Sequence, residues 1–335
     1  MADNSSDPTT DQTQPSSFAT GLVRLCVLCG LLGSLATLLS FAARHHWSLD
    51  LLVNMRSQLA LGLAIVTLPL LAFRKWRHVL VFTICLLVNL VEVVPFYLAP
   101  AARPLSASSP ARKGQTLTVL SGNVLSSNPD KQGYIKYLRQ QNADLILLLE
   151  VDLDWARAAR ELSDEYPHQL VRPRGDNFGL ALFSRYELVD ARVDPLTSGL
   201  PTIIANVQLD DHQVTFIGSH PLPPIGTERF ESRNTQIKAL STKVRESERP
   251  VILCGDLNTT PWSPSFKELL ATSELCDARV GFGLQPTWPA KPWPFAIPID
   301  HILISPEITA TSFSVGPLLG SDHRAVKAEL NIPYP

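Results

Sequence analysis

This sequence of 335 residues has little net charge, no spacing of cysteines typical of a disulfide framework, and no internal repeats. The formal net charge is only -2, so no positive field surrounds the whole molecule, although a local cleft can still be positive. The five cysteines lie mostly in apolar runs and do not form the pattern of a disulfide framework, so they do not indicate a redox compartment. No segment repeats another.

Charged residues are also scarce over positions 18–99, and this scarcity predicts a membrane region. A span needs about 20 apolar residues, and the apolar runs predict about three transmembrane helices. These runs cover residues 18–43, 58–73 and 79–99, the second being short unless residues 51–55 contribute. The segment before the first run is acidic, which favours a retained helix over a cleaved signal peptide.

Polar, low-complexity segments flank the membrane region. Residues 1–17 have the composition of a disordered tail. Residues 100–114 are rich in Pro, Ala and Ser and are interpreted as a linker. The remaining residues, 115–332, have the size of one soluble domain.

Basic residues give two opposing indications of membrane orientation. The loop Arg74–His78 is the densest basic cluster between the runs, which predicts that it lies on the cytoplasmic side. Three spans would then place the carboxyl-terminal domain on the outer side, whereas Arg103, Arg112 and Lys113 favour the reverse. Glu92 lies near the end of the third run, so its side chain is expected to reach the membrane–water interface. The less favoured alternative is a functional carboxylate inside the membrane.

The most informative segment of the soluble domain is VILCGDLNTTPWSP, residues 251–264. Its apolar start predicts a buried strand that stops at Gly255, which leaves Asp256 and Asn258 at the exposed carboxyl end. Open α/β sheets bind ligands at such ends. The alternative is an ordinary polar turn, since Asp and Asn are common turn residues.

Other predicted strands also end in polar side chains. Asn123 follows the strand 117–120, and Glu150 follows the strand 145–149. His220 ends the second strand of the hairpin 201–224. Burying an unpaired carboxylate is costly, so Glu150 is better explained by a polar site. The same holds at two further places: Asp300 begins the strand 299–305, and a loop carries Asp322 and His323.

Helices are predicted between only some of these strands, at 132–141, 152–164, 227–248 and 262–273. Many short strands with few helices predict two packed mixed β-sheets flanked by helices, a four-layer α/β sandwich, rather than one doubly wound sheet. The helix 227–248, which contains Arg233, is interpreted as a scaffold. Arg185 is expected either to contact a phosphate or to form an ion pair at the end of its strand.

Oxygen ligands dominate the set of strand-end side chains, and the set contains no cysteine. Such ligands favour Mg²⁺ or Mn²⁺ over a structural zinc. A hard cation combined with a positioned Asp and His is typical of phosphoester hydrolysis.

Six short motifs occur in a specific order. They are SGNV (121–124), LLLE (147–150), GSH (218–220), GDLN (255–258), IDH (299–301) and GSDH (320–323). Together they resemble the motifs of the endonuclease/exonuclease/phosphatase superfamily, whose fold is that of exonuclease III and DNase I. The resemblance covers residues 115–332, and the preceding helices are similar to those of a membrane-anchored bacterial subgroup. A multi-pass protein of a bacterial inner membrane is therefore expected.

The resemblance implies a metal site and a set of catalytic residues. Glu150 would be the principal ligand of Mg²⁺ or Mn²⁺, with Asn123 and Asp322 near the ion. Asp256 would orient or activate the attacking water. The implied phosphate contacts are Asn258, His323 oriented by Asp300, and His220, which would alternatively assist the leaving group.

The expected activity is metal-dependent phosphodiester hydrolysis by in-line attack of water, with nucleic acid as the leading substrate. The lack of overall positive charge favours a lipid- or inositol-phosphate substrate instead. A non-catalytic membrane scaffold is a further alternative, and protein partners are not indicated. Residues 285–298, rich in Pro and Trp, are expected either to bind substrate or to cover the core.

Overall fold

The computed structural model describes residues 17–98, 114–197, 199–210, 212–248 and 250–334. The predicted tail and the predicted linker lie outside the described residues, apart from Ser17 and Gly114 at their ends.

Four α-helices form the amino-terminal region: α1 Ser17–Leu39, α2 Trp47–Val53, α3 Arg56–Ala72 and α4 Trp76–Val93. By length and composition, α1 and α4, each with the short turn that follows it, are able to cross a membrane. Helices α2 and α3 meet at 61° and make a third candidate only if the bent pair is counted as one span. Two or three candidate spans therefore correspond to the three apolar runs.

A buried polar network ties the three long helices of this region together. The Asn89 side chain donates to Thr37 Oγ1 at 2.9 Å and accepts from Arg56 Nη1 at 3.1 Å. These three residues come from α4, α1 and α3. Pairing buried polar groups in this way avoids the cost of leaving them without a hydrogen bond.

The carboxyl-terminal domain contains twelve strands among the residues that the structure describes. They are β1 Gly114–Asn123, β2 Leu145–Leu149, β3 His168–Arg172, β4 Leu180–Ser184, β5 Leu188–Asp194, β6 Thr202–Gln208, β7 Gln213–Ser219, β8 Val251–Asp256, β9 Cys276–Asp277, β10 Asp300–Ile304, β11 Thr309–Val315 and β12 Val326–Pro333. The helices of this domain are α5 Lys131–Gln141, α6 Leu153–Ala158, α7 Thr227–Glu246 and α8 Pro264–Ser273.

The strands form two six-stranded mixed sheets, in the orders β11-β12-β1-β2-β4-β3 and β5-β6-β7-β8-β10-β9. A large apolar cluster, which includes Leu147, Phe216 and Ile302, fills the space between the sheets. A second cluster packs α5 and α6 on the outer face of the first sheet, and a third packs α7 and α8 on that of the second. The predicted four-layer α/β sandwich is therefore confirmed.

Each sheet has one parallel pair near its centre, β1 with β2 and β7 with β8. The carboxyl ends of a parallel pair lie at the same edge of a sheet. Strand β10 runs antiparallel to β8, and its first residue, Asp300, pairs with the last residue of β8, Asp256. Residues at the ends of five strands are thus brought to one edge of the sandwich.

Some elements differ from their predicted bounds. The helix predicted over 152–164 is α6 followed by a 3₁₀ turn at Ala159–Leu162, and the helix predicted from residue 262 begins at Pro264. Pro264 occupies the first helical position, where its missing N–H is not needed. Arg185 forms an ion pair with Asp144 at 3.9 Å, which is the second of its two expected roles.

Candidate active site

Asp256 lies at the centre of the candidate site and is almost completely buried. Its Oδ2 atom lies 3.3 Å from Asn123 Nδ2, 3.4 Å from His220 Nε2 and 3.5 Å from His323 Nε2. Its Oδ1 atom accepts a hydrogen bond from the Asn258 backbone N–H at 2.9 Å. Burial alone would raise the pKa of Asp256, but His323 and His220 outweigh it and lower the pKa to about 2. Asp256 is therefore a carboxylate at neutral pH.

His323 is held between two carboxylates. Its Nδ1 atom lies 2.9 Å from Asp300 Oδ2, and its backbone N–H donates to Ser321 Oγ at 3.0 Å. Burial alone would lower the pKa of His323, but Asp300 and Asp256 outweigh it and raise the pKa to about 10. The imidazole is therefore charged at neutral pH and is suited to donate a hydrogen bond to an anion.

Glu150 directly follows β2 and lies beside Asn123, the last residue of β1. The Asn123 amide donates to Glu150 Oε1 at 2.8 Å, so one side chain connects Glu150 with Asp256. Glu150 Oε2 is buried and has no hydrogen-bond partner among the described residues. Glu150 also has a left-handed backbone (φ 62°), a strained conformation that is frequent at functional sites.

Asn258 and His220 flank Asp256 on its other side. Asn258 also has a left-handed backbone (φ 49°), and its side-chain amide donates to the Pro221 carbonyl at 2.9 Å. The His220 ring packs against Phe178, with ring centroids 5.1 Å apart, and its Nδ1 atom is buried without a partner. A buried imidazole nitrogen without a partner remains available to a ligand.

Asp322 is the one exposed member of the predicted set. Its carboxylate accepts a hydrogen bond from the Trp288 indole at 3.1 Å. It lines the same cavity as Glu150, Asp256, Asn258 and His323, and this cavity has a volume of about 450 Å³. The structure therefore brings the predicted residues to one cavity, with Asn123 and Asp300 immediately behind its wall.

Three further contributions to the cavity were not predicted from the sequence. Phe178 comes from the loop before β4, Ile225 comes from the loop before α7, and Leu51 and Asn54 come from the amino-terminal helical region. None of these residues belongs to a polar strand end, so no local signal marks them. They reach the site only because folding brings these distant segments of the chain together.

The family model described as the endonuclease/exonuclease/phosphatase family matches residues 120–323. The chain belongs to this family. The match spans the strand-end residues from β1 to the loop that carries Asp322 and His323. The resemblance inferred from the six motifs is confirmed, and so is the expectation of a metal-dependent phosphoester hydrolase.

Solved structures of family members share the fold. An endonuclease/exonuclease/phosphatase from Beutenbergia cavernae has 21% identity and a TM-score of 0.53, covering 65% of this chain and 72% of its own. TDP2 of D. rerio complexed with a single-strand DNA product has 18% identity and a TM-score of 0.54, covering 65% and 99%. The mannosyl-6-phosphatase of Bacteroides thetaiotaomicron has 20% identity and a TM-score of 0.52, covering 64% and 99%. A comparison with curated proteins gave no match.

The candidate site of this family member fits a hard divalent cation. Glu150 Oε2 is a buried oxygen without a partner, and a buried carboxylate oxygen of this kind is normally paired or bound to a metal. Carboxylates of Asp256 and Asp322 line the same cavity as Glu150, and carboxylate oxygens suit Mg²⁺ or Mn²⁺. Ligand atoms of Asp256, Asp300 and His323 also lie within 4.8 Å of one another, but the His323 to Asp300 hydrogen bond already uses part of that group.

Proposed function

We propose that this protein hydrolyses a phosphodiester by in-line attack of water, assisted by a divalent cation. The observation that carries the proposal is the arrangement around Asp256, whose Oδ2 atom faces His220, His323 and Asn123. A carboxylate kept ionised at neutral pH is suited to accept a hydrogen bond from a water molecule and so to orient it, whereas its low pKa makes it a weak base. The activity would be lost if this arrangement were broken.

In this proposal Glu150, Asn123 and Asp322 hold Mg²⁺ or Mn²⁺. The bound cation would supply charge neutralisation on the phosphate oxygens. Glu150 offers its free Oε2 atom, and Asn123 keeps the other carboxylate oxygen in place. Asp322 would have to release its hydrogen bond from Trp288 or use its second oxygen.

The remaining predicted residues would bind the reacting phosphate. His323, charged and oriented by Asp300, donates to an equatorial oxygen, and the Asn258 amide donates to another as charge develops in the transition state. His220 contacts the phosphate or assists the leaving group through its partner-free Nδ1 atom. The Asn258 amide is bonded to the Pro221 carbonyl and would have to leave it or share its second N–H.

Two substrate classes have specific support. Nucleic acid is supported by the family, in which D. rerio TDP2 has been solved with a single-strand DNA product. A lipid phosphoester is supported by the cavity wall, where Leu51 and Asn54 of the membrane region stand beside the apolar segment Leu222–Ile225. An amphiphilic substrate would find apolar surface there that a polynucleotide does not need.

The amino-terminal helices would anchor the protein as a multi-pass protein of a bacterial inner membrane. Large apolar side chains on their outer faces are more than half exposed, including Leu28, Leu68 and Leu87. Counting the bent pair as one span gives three spans, and a cytoplasmic Arg74–His78 loop then leaves the catalytic domain on the outer side. A reporter fused after residue 75 should then report a cytoplasmic position and one fused after residue 335 an outer position, and the reverse pattern would refute this orientation.

The test of function uses the full-length protein in detergent with Mg²⁺. Single-stranded DNA, duplex DNA, RNA, sphingomyelin, inositol phosphates and bis(p-nitrophenyl) phosphate would be compared, with Asp256→Asn as the inactive variant and Asp154→Asn as the matched control. Among the described residues Asp154 pairs with Arg157, and both side chains are exposed, so losing this pair leaves the site intact. Hydrolysis that disappears in Asp256→Asn alone supports the proposal, and the preferred substrate decides between the two classes. Equal activity in Asp256→Asn would refute the assignment, and no hydrolysis at all would favour a non-catalytic scaffold.

A further inference from the structure

The short helix α2 joins the first candidate span to α3 and lies against the catalytic domain. Its polar side chains, and those just after it, bind residues of the segment that follows β8. Asp50 Oδ1 accepts from Ser263 Oγ at 2.8 Å, and Asn54 Oδ1 accepts from Thr260 Oγ1 at 2.7 Å. All four side chains are buried. The segment 257–263, which carries Asn258, is therefore bound by two side-chain hydrogen bonds to α2 and the residue that follows it.

Arg233 of α7 connects α2 to Asn258 itself. Its guanidinium is fully buried, and its Nη2 atom donates to Asp50 Oδ2 at 2.8 Å. Its Nη1 atom donates to the backbone carbonyl of Asn258 at 3.0 Å, and its Nε atom donates to Asn234 Oδ1 at 3.0 Å. Asp50 is the carboxylate that pairs with this cation among the described residues. Without Asp50, the cation would be buried and uncompensated, and it would tend to move away from Asn258.

The carbonyl of Asn258 matters because the backbone of this residue is in the left-handed region. Asn tolerates that conformation better than most other residues, and contacts with its surroundings select it here. Two main-chain contacts do so here: the N–H binds Asp256 Oδ1, and the carbonyl binds Arg233. Losing the second contact would loosen the backbone that carries the side-chain amide. The amide's own hydrogen bond, to the Pro221 carbonyl at 2.9 Å, is the one that a bound phosphate would have to replace or share.

We propose that Asp50 of α2 is a positioning residue for the active site, which acts through Arg233 to fix the backbone, and hence the amide, of Asn258. This inference rests on the proposed role of Asn258 in binding the phosphate. The membrane region is then more than an anchor, because it completes the support of a catalytic loop whose own residues lie about 200 positions later in the chain.

The kinetic test uses the full-length protein with Asp50→Asn, which keeps the shape and the hydrogen bond from Ser263 but removes the charge that holds Arg233. We expect kcat on bis(p-nitrophenyl) phosphate to fall at least about tenfold, since a misplacement of about 1 Å can cost about a hundredfold. Asp50→Glu, which restores the charge, should recover part of the loss. The matched control is Glu92→Gln, which removes the charge of another side-chain contact between the two regions, the ion pair with Lys267 at 2.6 Å. It leaves in place the Glu92 backbone carbonyl, which accepts from the Trp262 indole.

A double variant distinguishes a positioning role of Asp50 from a merely structural one. If Asp50 acts through Asn258, then adding Asp50→Asn to Asn258→Ala should lower kcat by less than about twofold more, because the positioned group is already gone. Multiplicative losses in the double variant would overturn the proposal. So would an unchanged kcat in Asp50→Asn.

Hydrogen exchange tests the same proposal without any substrate. Asp50→Asn should accelerate amide exchange in segment 257–263 by about tenfold or more, whereas Glu92→Gln should leave this segment unchanged. Unchanged exchange in Asp50→Asn overturns the inference even if the enzyme is active. If exchange accelerates but Asn258→Ala has no effect on hydrolysis, then the proposed catalytic role of Asn258 fails and the physical link between α2 and the loop stands.

Discussion

The charge on His323 depends on the carboxylates that face it. Asp300 lies on its Nδ1 side at 2.9 Å, and Asp256 lies on its Nε2 side at 3.5 Å. Although burial by itself would lower the pKa of His323, the two carboxylates raise it to about 10. The charged form therefore persists from neutral pH until the pH rises through that value, and hydrogen-bond donation to a phosphate should persist with it.

The first prediction concerns Asp300→Asn. Losing this carboxylate should bring the pKa of His323 down toward its ordinary value, so the loss of kcat at alkaline pH should begin at least about one unit lower than in the unmodified protein. The measurement is kcat against pH on bis(p-nitrophenyl) phosphate at saturating Mg²⁺. Asp154→Asn should keep the original profile, and an identical alkaline limb in Asp300→Asn would show that Asp300 does not hold the charge on His323.

The second prediction concerns Glu150→Gln. Glutamine keeps the size of the side chain but loses its negative charge, and it can place an NH₂ group where the free, buried Oε2 lies. The affinity for Mn²⁺ should therefore fall about tenfold or more. Calorimetric titration of Mn²⁺ measures this without substrate. Glu187→Gln, at an exposed position, should bind Mn²⁺ like the unmodified protein. Equal affinity in Glu150→Gln would mean that the cation is held elsewhere.

At the scale of elements, the site depends on how closely β7 and β8 approach at their carboxyl ends. Gly255 has φ 145°, and a Cβ atom at this position would lie 1.9 Å from the carbonyl oxygen of Ser219. Ser219 directly precedes His220, and Gly255 directly precedes Asp256. The close approach of the two backbones therefore sets the distance between these two side chains.

The third prediction is that Gly255→Ala destabilises the fold and the site together. The added methyl group must push the two strand ends apart and adopt a conformation that L residues rarely take, which costs about 1–3 kcal/mol. The unfolding temperature and kcat should both decrease. Gly175→Ala is the matched control because a Cβ atom there meets nothing within 4 Å. An unchanged unfolding temperature in Gly255→Ala would contradict the close approach of the Gly255 and Ser219 backbones.

The same strand ends explain how much of the site the sequence could predict. Strands β2 and β8 are buried throughout, so their apolar runs stand out and their polar ends are conspicuous. Strands β3 and β5 are only partly buried and have no apolar run, so no pattern predicted them. The contact between Asp50 and Arg233 joins residues 183 positions apart, and sequence reasoning assigned Arg233 to a scaffold helix because its partner was not in view.

At the scale of the whole molecule, the amino-terminal helical region, which carries the candidate spans, and the catalytic domain share an interface with many polar contacts. Besides the Asp50 contacts, the Trp262 indole donates to the Glu92 carbonyl at 3.0 Å, and the Gly281 and Gly283 N–H groups donate to the Phe96 carbonyl. Glu92 was expected to reach the membrane interface, and its carboxylate pairs with Lys267 of α8. Separating the two regions would leave these groups without their partners.

The last prediction concerns Arg233→Met, compared in the full-length protein and in residues 114–335 alone. In the full-length protein this substitution leaves Asp50 buried and uncompensated, so the free energy of unfolding should fall by about 3–5 kcal/mol. In the isolated domain Asp50 is absent and water reaches the vacated surface, so the same change should cost about 1 kcal/mol or less. Equilibrium unfolding in the same detergent measures both values.

Arg245→Met is the matched control for this comparison, because Arg245 lies on the same helix and is exposed. It should change the free energy of unfolding by less than about 0.5 kcal/mol in either form. A large and equal loss from Arg233→Met in both forms would mean that Arg233 stabilises the catalytic domain through contacts within it, such as those to Asn234 and Asn258. A loss confined to the full-length protein assigns the stabilisation to Asp50, and makes the membrane region a structural part of the enzyme.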